Sequence, residues 1–128
     1  MEVDATRFLE QALLGEAVMG VPVAASVFDV DRYYVAVNDA FCRLTQYERT
    51  EFAQLMAGTA LAPDDEAREA VVNAIRKRGA LGETNLRRKD GSIIRTAYWV
   101  METKLALGIY FLRFSWTPES GLGPAITA

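Results

Sequence analysis

The Asp90-Gly91 pair is the feature of this sequence that most constrains its fold. It separates two runs of strand-forming residues, 83–89 and 93–103. An Asp-Gly pair favours the positive φ angles of a two-residue hairpin turn, so these runs are predicted to pair as antiparallel strands. A further apolar run at 107–116 predicts one more strand. The last third of the chain is therefore predicted to be antiparallel β structure.

The first third predicts a helix followed by another hairpin. Residues 4–19 carry apolar side chains at three- and four-residue spacing, which is typical of an amphipathic helix. Gly20 and Pro22 end this helix, and residues 23–29 and 33–37 are predicted to form two paired strands. The apolar positions of the helix are Phe8, Leu9, Ala12, Leu13 and Ala17.

The middle of the chain predicts a helical block. Asn38 is a candidate N-cap for a short helix, a further turn is predicted at 50–56, and Asp64 or Asp65 begins a longer helix that ends at Gly79. Two strands, a helical block and three strands predict an α+β domain. We expect a five-stranded antiparallel sheet with short helices on one face, plus the N-terminal amphipathic helix.

This element order divides the chain into three parts. Residues 1–20 form the N-terminal cap helix, and residues 21–117 form the domain. Residues 118–128 contain several Pro and Gly residues and predict a flexible tail or the start of a linker.

The chemistry available to the chain is limited because it contains no histidine and only one cysteine, Cys42. Histidine is the commonest general base and metal ligand, so a Ser-His-Asp arrangement, a zinc site and a histidine-ligated haem are excluded. No nucleophile is accompanied by a base and an orienting partner. We therefore expect no catalytic residues, no metal site and no enzyme activity.

Charge and hydropathy limit the partners. The net charge of −3 argues against a general affinity for nucleic acid. No apolar run approaches the roughly 20 residues that span a bilayer, and the N-terminus is acidic where a secretory signal is basic. A single cysteine suits a reducing compartment. We expect a cytoplasmic protein that binds neither nucleic acid nor membrane.

Four segments together resemble the PAS domain family, a group of sensing and interaction modules. The run 37–47 is similar to the family's passage from the second strand into the first short helix. The runs 27–29, 62–65 and 87–92 resemble the end of its first strand, the start of its long helix and a later hairpin. The resemblance spans about residues 20–117.

The sequence departs from the family at several positions. Arg32 and Gln46 stand where the family often has glycine, and Ala62 stands where it often has histidine. The segment 115–117 lacks the Asp of the Asp-x-Thr motif that couples the last strand of many members to an output helix.

The resemblance implies a ligand space between the sheet and the short helices. The alternative is that the same side chains simply fill a core. An apolar or aromatic ligand is favoured, because Arg95 and Arg113 are predicted to face outward with their stems along the sheet. The candidate lining residues are Phe28, Tyr34, Phe41, Met56, Ile75, Tyr98, Trp99, Tyr110 and Leu112.

Residues 98–101 and 109–112 are apolar without alternation, although a half-exposed strand alternates apolar and polar residues. Both sheet faces are therefore predicted to be covered there. The N-terminal helix and a second copy of the chain are the candidate covers, and the resemblance implies a homodimer. The candidate interface residues are Phe8, Leu9, Leu13, Met101 and Phe111.

Three functions remain open from the sequence. The first is a dimeric regulatory sensor in signal transduction, with a small apolar ligand and a downstream effector as partners. The second is a ligand-free interaction and dimerisation module. The third is a redox sensor that carries a flavin such as FAD. Cys42 lies on the wrong helix for the cysteinyl-flavin chemistry of the family's light sensors and is predicted to be an unreactive thiol.

Overall fold

The computed structural model describes residues 2–120, and the side chains of residues 5–119. Helix α1 is followed by two strands, a helical block and three strands, which is the predicted order. The elements are α1 (Glu2–Met19), β1 (Ala24–Asp29), β2 (Tyr34–Val37), α2 (Asp39–Thr45), a 3-10 helix (Arg49–Gln54), α3 (Asp65–Lys77), β3 (Gly79–Arg87), β4 (Ile93–Lys104), β5 (Ile109–Trp116) and a 3-10 turn (Pro118–Ser120).

The five strands form one antiparallel sheet in the order β2-β1-β5-β4-β3. The predicted α+β fold class is therefore confirmed. The strand predicted at 83–89 begins earlier, at Gly79. Arg78 ends α3 in the left-handed conformation with a φ of 63°, which turns the chain straight into β3.

The sheet is covered on both faces. Its inner face packs against α2, the 3-10 helix and α3, and the rings of Phe28 and Phe111 stack there with centroids 5.6 Å apart. Its outer face is covered by α1 over β1, β2 and β5. Side chains alternate between the two faces along each strand. In β5, residues 111, 113 and 115 are therefore on the inner face, and residues 110, 112 and 114 are on the outer face.

Helix α1 is present as predicted, but it contacts the sheet through a different side. Leu14 and Val18 are buried against the outer face. Phe8, Leu9 and Leu13, the candidate interface residues of this helix, are 57–74% exposed, and their place at an interface stays a prediction. Ala12 and Ala17 are also exposed. Apolar residues occupy more than one side of this helix, so periodicity alone does not identify the packed side.

Asn38 joins three elements through a buried side chain that is 1% exposed. Its Oδ1 accepts hydrogen bonds from the backbone N–H groups of Ala25 in β1 and Phe41 in α2, each at 2.9 Å. Its Nδ2 donates to the carbonyls of Val18 at 3.0 Å and Val23 at 2.9 Å. One amide thus caps α2 as predicted and also fixes the end of α1 against the start of β1.

Arg32 and Gln46 have positive φ angles, 72° and 69°. These are two positions at which the resembling family often has glycine. The left-handed conformation costs a non-glycine residue roughly 1–2 kcal/mol, so other contacts must hold it. At the first turn, Asp29 Oδ1 accepts hydrogen bonds from the N–H groups of Asp31 and Tyr33.

The tail predicted at 118–128 falls largely outside the described residues, apart from the turn at 118–120. Within residues 2–120, no helix combines the length and the hydrophobicity needed to span a membrane.

We predict that Asn38→Ala lowers the free energy of unfolding by about 3 kcal/mol or more, because each buried backbone group left without a partner costs about 1–3 kcal/mol. Urea denaturation measures this loss. The matched control is Asn73→Ala on α3, which we expect to change stability by less than about 0.5 kcal/mol. A loss at Asn38 no larger than that at Asn73 would contradict its structural role.

Candidate functional site

A small cavity lies between the inner face of the sheet and the helices. Its volume is about 20 Å³, which is room for roughly one water molecule. Aromatic and aliphatic side chains form most of its wall, while Ser26, Thr84 and Arg113 supply polar atoms from three different strands. The apolar wall includes Phe28, Phe41, Leu61, Val71 and Leu86.

The structure brings part of the predicted lining together. Phe28, Tyr34 and Phe41 line the cavity. Tyr98 and Ile75 belong to the adjoining inner core. Met56 instead forms an isolated β-bridge with Tyr33 and is not among the lining residues. A role of these residues in ligand binding stays a prediction.

Four placements are corrected. Tyr110 and Leu112 lie on the outer face under α1, and Trp99 is 43% exposed on the outer face of β4. Phe111 was predicted at an interface but is 1% exposed in the inner core. In β5 the reason is Arg113. Placing this charge outside also places residue 111 outside and residues 110 and 112 inside, which is the reverse of the observed alternation.

Arg113 faces the interior, contrary to the prediction. It lines the cavity opposite Ser26, its partner across the β1–β5 pair. The residue as a whole is partly buried, but its Nε is enclosed and has no hydrogen-bond partner. Its Cζ lies 4.9 Å from the centroid of the Tyr98 ring, a cation–π contact. The ion pairs found among the described residues all involve other cations.

Arg95 shows the contrasting case on the neighbouring strand. It is exposed as predicted, and its guanidinium lies 3.4 Å from the Glu66 carboxylate and 3.6 Å from that of Glu83. The two mid-strand arginines that look alike in the sequence therefore occupy opposite environments. Arg95 is exposed and paired with carboxylates, and Arg113 lines the interior and contacts an aromatic ring.

Three hydroxyl groups on the inner face are also unpaired. The Oγ atoms of Ser26 and Ser115 and the Oγ1 atom of Thr84 are buried without a hydrogen-bond partner. A buried polar group without a partner costs about 1–3 kcal/mol. Ser26 and Thr84 are both among the residues that line the cavity.

Burial also changes the acidity of the cavity groups. It raises the pKa of Tyr34 to about 12, although Arg113 opposes the change. Tyr34 is therefore neutral at pH 7 and its hydroxyl can donate a hydrogen bond. Burial lowers the pKa of Arg113, but a guanidinium keeps its proton in proteins. The cavity thus supplies a positive charge and hydroxyl groups.

Gly82 allows the ring of Tyr98 to lie beneath Arg113. A Cβ atom at residue 82 would lie 2.9 Å from the Tyr98 hydroxyl oxygen, which is closer than van der Waals contact permits. The absence of a side chain at Gly82 therefore leaves space for the Tyr98 ring in the position where it faces the guanidinium. Periodicity does not indicate this requirement, because it depends on the register between β3 and β4.

A larger groove adjoins the cavity. Its volume is about 320 Å³, and it lies between α1, β2 and the 3-10 helix. Tyr34 contributes to the walls of both spaces. Its ring lies 5.1 Å from that of Phe52, which also lines the groove. These rings separate the interior from the groove.

Cys42 is partly buried and packs against the inner core. Burial raises the pKa of its thiol, against the effect of Arg49. A raised pKa reduces the fraction of reactive thiolate, which supports the interpretation of Cys42 as a packing residue. Among the residues that the structure describes, no group of three or more potential metal ligands is found.

Comparison with known structures finds PAS domains. The chain is similar to a PAS domain from a two-component sensor histidine kinase, at 18% identity and a TM-score of 0.67, over 84% of this chain and 96% of that one. It is also similar to the PAS domain of the fruit-fly ELK potassium channel, at 15% identity and a TM-score of 0.70, over 83% and 94% of the two chains.

A third similar structure is the LOV protein of Rhodobacter sphaeroides, at 16% identity and a TM-score of 0.68, over 86% of this chain and 67% of that one. No protein-family profile and no curated protein matches the sequence. At these identities the likeness establishes the fold of the chain.

We predict that Arg113→Met raises the free energy of unfolding by about 1 kcal/mol, because a partly buried charge without an ionic partner carries a desolvation cost that an apolar side chain avoids. Urea denaturation measures the change. The buffer should contain no organic acid, because a carboxylate could pair with the guanidinium.

The matched control is Arg95→Met. It removes an exposed, paired charge, and we expect it to change stability by less than about 0.5 kcal/mol. A marked loss of stability in Arg113→Met would show that the guanidinium supports the fold and would contradict this interpretation of the site.

Proposed function

We propose that this chain, which has the PAS fold, is a non-catalytic regulatory domain that senses a small molecule in its interior. The observation that carries the proposal is the set of unpaired polar groups on the cavity wall, from Arg113, Ser26 and Thr84. Groups of this kind destabilise a core. Their presence in an otherwise apolar interior supports a binding role, because a polar ligand would supply the missing partners.

The similar structures support a role in signalling. One is described as part of a sensor histidine kinase and another as part of a potassium channel. In both proteins a domain of this fold accompanies a larger protein. We propose that an effector domain or protein receives the signal of this chain, in the cytoplasm.

The small volume of the cavity means that a ligand can enter only if the surrounding residues move. A site for one water molecule must expand before it admits an organic ligand. A flavin needs far more room than about 20 Å³, so the flavin alternative requires a larger rearrangement than a small ligand does. A visible absorption spectrum of the purified protein tests that alternative directly.

We expect at least one class of small molecule to raise the melting temperature in a thermal-shift screen. A ligand at a hundredfold excess over its Kd stabilises the folded state by about 2.7 kcal/mol, which corresponds to several degrees for a domain of this size. The amide NMR signals of Ser26, Thr84 and Arg113 should shift with the same ligand. A screen in which no class does so would favour the alternative of a filled interaction module.

Self-association is the second part of the proposal. The outward side of α1 exposes Phe8 at 74% and Leu13 at 60%, and the uncovered part of the outer sheet face exposes Trp99 and Met101. Exposed apolar surface of this kind marks an interface in many proteins. Glu10 accepts a hydrogen bond from the N–H of Leu107, which holds α1 near the loop between β4 and β5. We propose that two copies pair through these surfaces.

We predict that the wild-type chain is a dimer at about 100 µM, in the micromolar range typical of moderate interfaces, and that Phe8→Glu makes it a monomer. Analytical ultracentrifugation measures the mass. The matched control is Val72→Glu, which changes an exposed apolar residue on α3, away from the outer face, and should leave the dimer intact. A monomeric wild type, or an equal effect of both variants, would contradict this interface.

A further inference from the structure

None of the ion pairs among the described residues involves Arg113. Its Nε is enclosed without a hydrogen-bond partner, and its Cζ lies 4.9 Å from the centroid of the Tyr98 ring. A cation–π contact contributes about 0.5–2 kcal/mol, whereas complete burial of an ion costs several kcal/mol, of which the partly buried Arg113 bears a fraction. Arg95, in contrast, has two carboxylates within reach. The interior charge is therefore uncompensated by the described residues.

The groups near this charge favour an anion. The hydroxyls of Ser26 and Thr84 lie on the same cavity wall without partners. Tyr34 also lines the cavity and keeps its proton at pH 7. No Asp or Glu is among the lining residues. One cation and three potential hydroxyl donors match the oxygens of a carboxylate, which accepts bidentate hydrogen bonds from a guanidinium.

The apolar residues of the cavity wall determine which chemical group the ligand can carry besides its carboxylate. Phe28 and Phe41 present aromatic rings, and Leu61, Val71 and Leu86 present aliphatic side chains. These surfaces provide no partner for additional polar groups. A compact aryl or branched-alkyl group fits their chemistry.

Movement of the Tyr34 side chain would enlarge the small cavity. Its ring borders both the interior of about 20 Å³ and the groove of about 320 Å³. Displacement of this ring would join the two spaces and open a path beside α1. Sites for small ligands measure about 300–1,000 Å³. The groove alone is at the low end of this range, and displacement of the ring would make its volume accessible from the cavity.

We propose that the interior of this domain binds a small monocarboxylate with an aryl or branched-alkyl body, through Arg113 and the hydroxyls of Ser26 and Thr84. This inference rests on the proposed sensory function and names the ligand class for it. Arg113 holds the carboxylate, and the apolar wall holds the body. The displaced ring of Tyr34 connects the occupied site with the groove under α1.

Two pairs of isosteric probes test the inference. They are benzoate with benzamide, and isobutyrate with isobutyramide, at matched ionic strength. We expect the wild-type chain to bind at least one acid roughly 10- to 100-fold more tightly than its amide, since hydrogen bonds to charged groups are worth about 1.5–3 kcal/mol. Calorimetry gives the Kd, and the Nε–Hε signal of Arg113 in a ¹⁵N spectrum should shift on binding.

Arg113→Met should remove the preference of the domain for the acid, while the matched control Arg95→Met should keep it. The wild-type comparison of acid with amide decides the question even where Arg113→Met fails to fold. Equal binding of acid and amide would overturn the inference. So would a preference that Arg113→Met retains.

The outcomes also distinguish failure of the carboxylate inference from failure of the proposed sensory function. If neither acid binds, while neutral compounds raise the melting temperature and shift the cavity signals, the carboxylate inference fails and the sensory function stands. If no compound of any class binds, both fail. If the acids bind with the Arg113 signal unchanged, the anion site lies elsewhere and the inference is overturned.

Discussion

The buried amide of Asn38 is the interaction on which the rest of this structure depends. It satisfies backbone groups from the end of α1, the start of β1 and the first turn of α2. The helices of these segments pack on opposite faces of the sheet. Because the amide carries both donors and acceptors, one side chain fixes the position of the outer helix and of the inner helical block relative to the same strand.

Local signals made much of this fold predictable. The cap at Asn38 and the start of the long helix at Asp64 are determined by neighbouring residues. The hairpin at Asp90-Gly91 also forms, but its loop is wider than predicted, because β3 ends at Arg87 and β4 begins at Ile93, and of the pair only Gly91 has a positive φ, 90°. Such signals depend on backbone conformation and short-range hydrogen bonds. The order of elements followed from them, and with it the antiparallel sheet.

The site was less predictable because it breaks the usual rule for charges. A sequence pattern places arginine on the solvent side of a strand. Arg113 lies inside, so that rule assigned β5 the wrong face and misplaced Phe111, Tyr110 and Leu112 with it. Such departures are expected at functional positions. The side of α1 that packs was also undetermined, since apolar residues occupy more than one of its sides.

The acid–base properties of the cavity groups limit the kind of signal that the proposed sensor could detect. The chain has no histidine, Arg113 keeps its charge, and Tyr34 loses its proton only near pH 12. The raised pKa of Tyr34 makes a stability contribution that is present below pH 10 and is lost as the pH rises toward about 12. Between the acid range and about pH 10, Arg113 stays positively charged and Tyr34 stays neutral. Binding of the proposed ligand would therefore follow the concentration of that ligand and not the protonation of Arg113 or Tyr34.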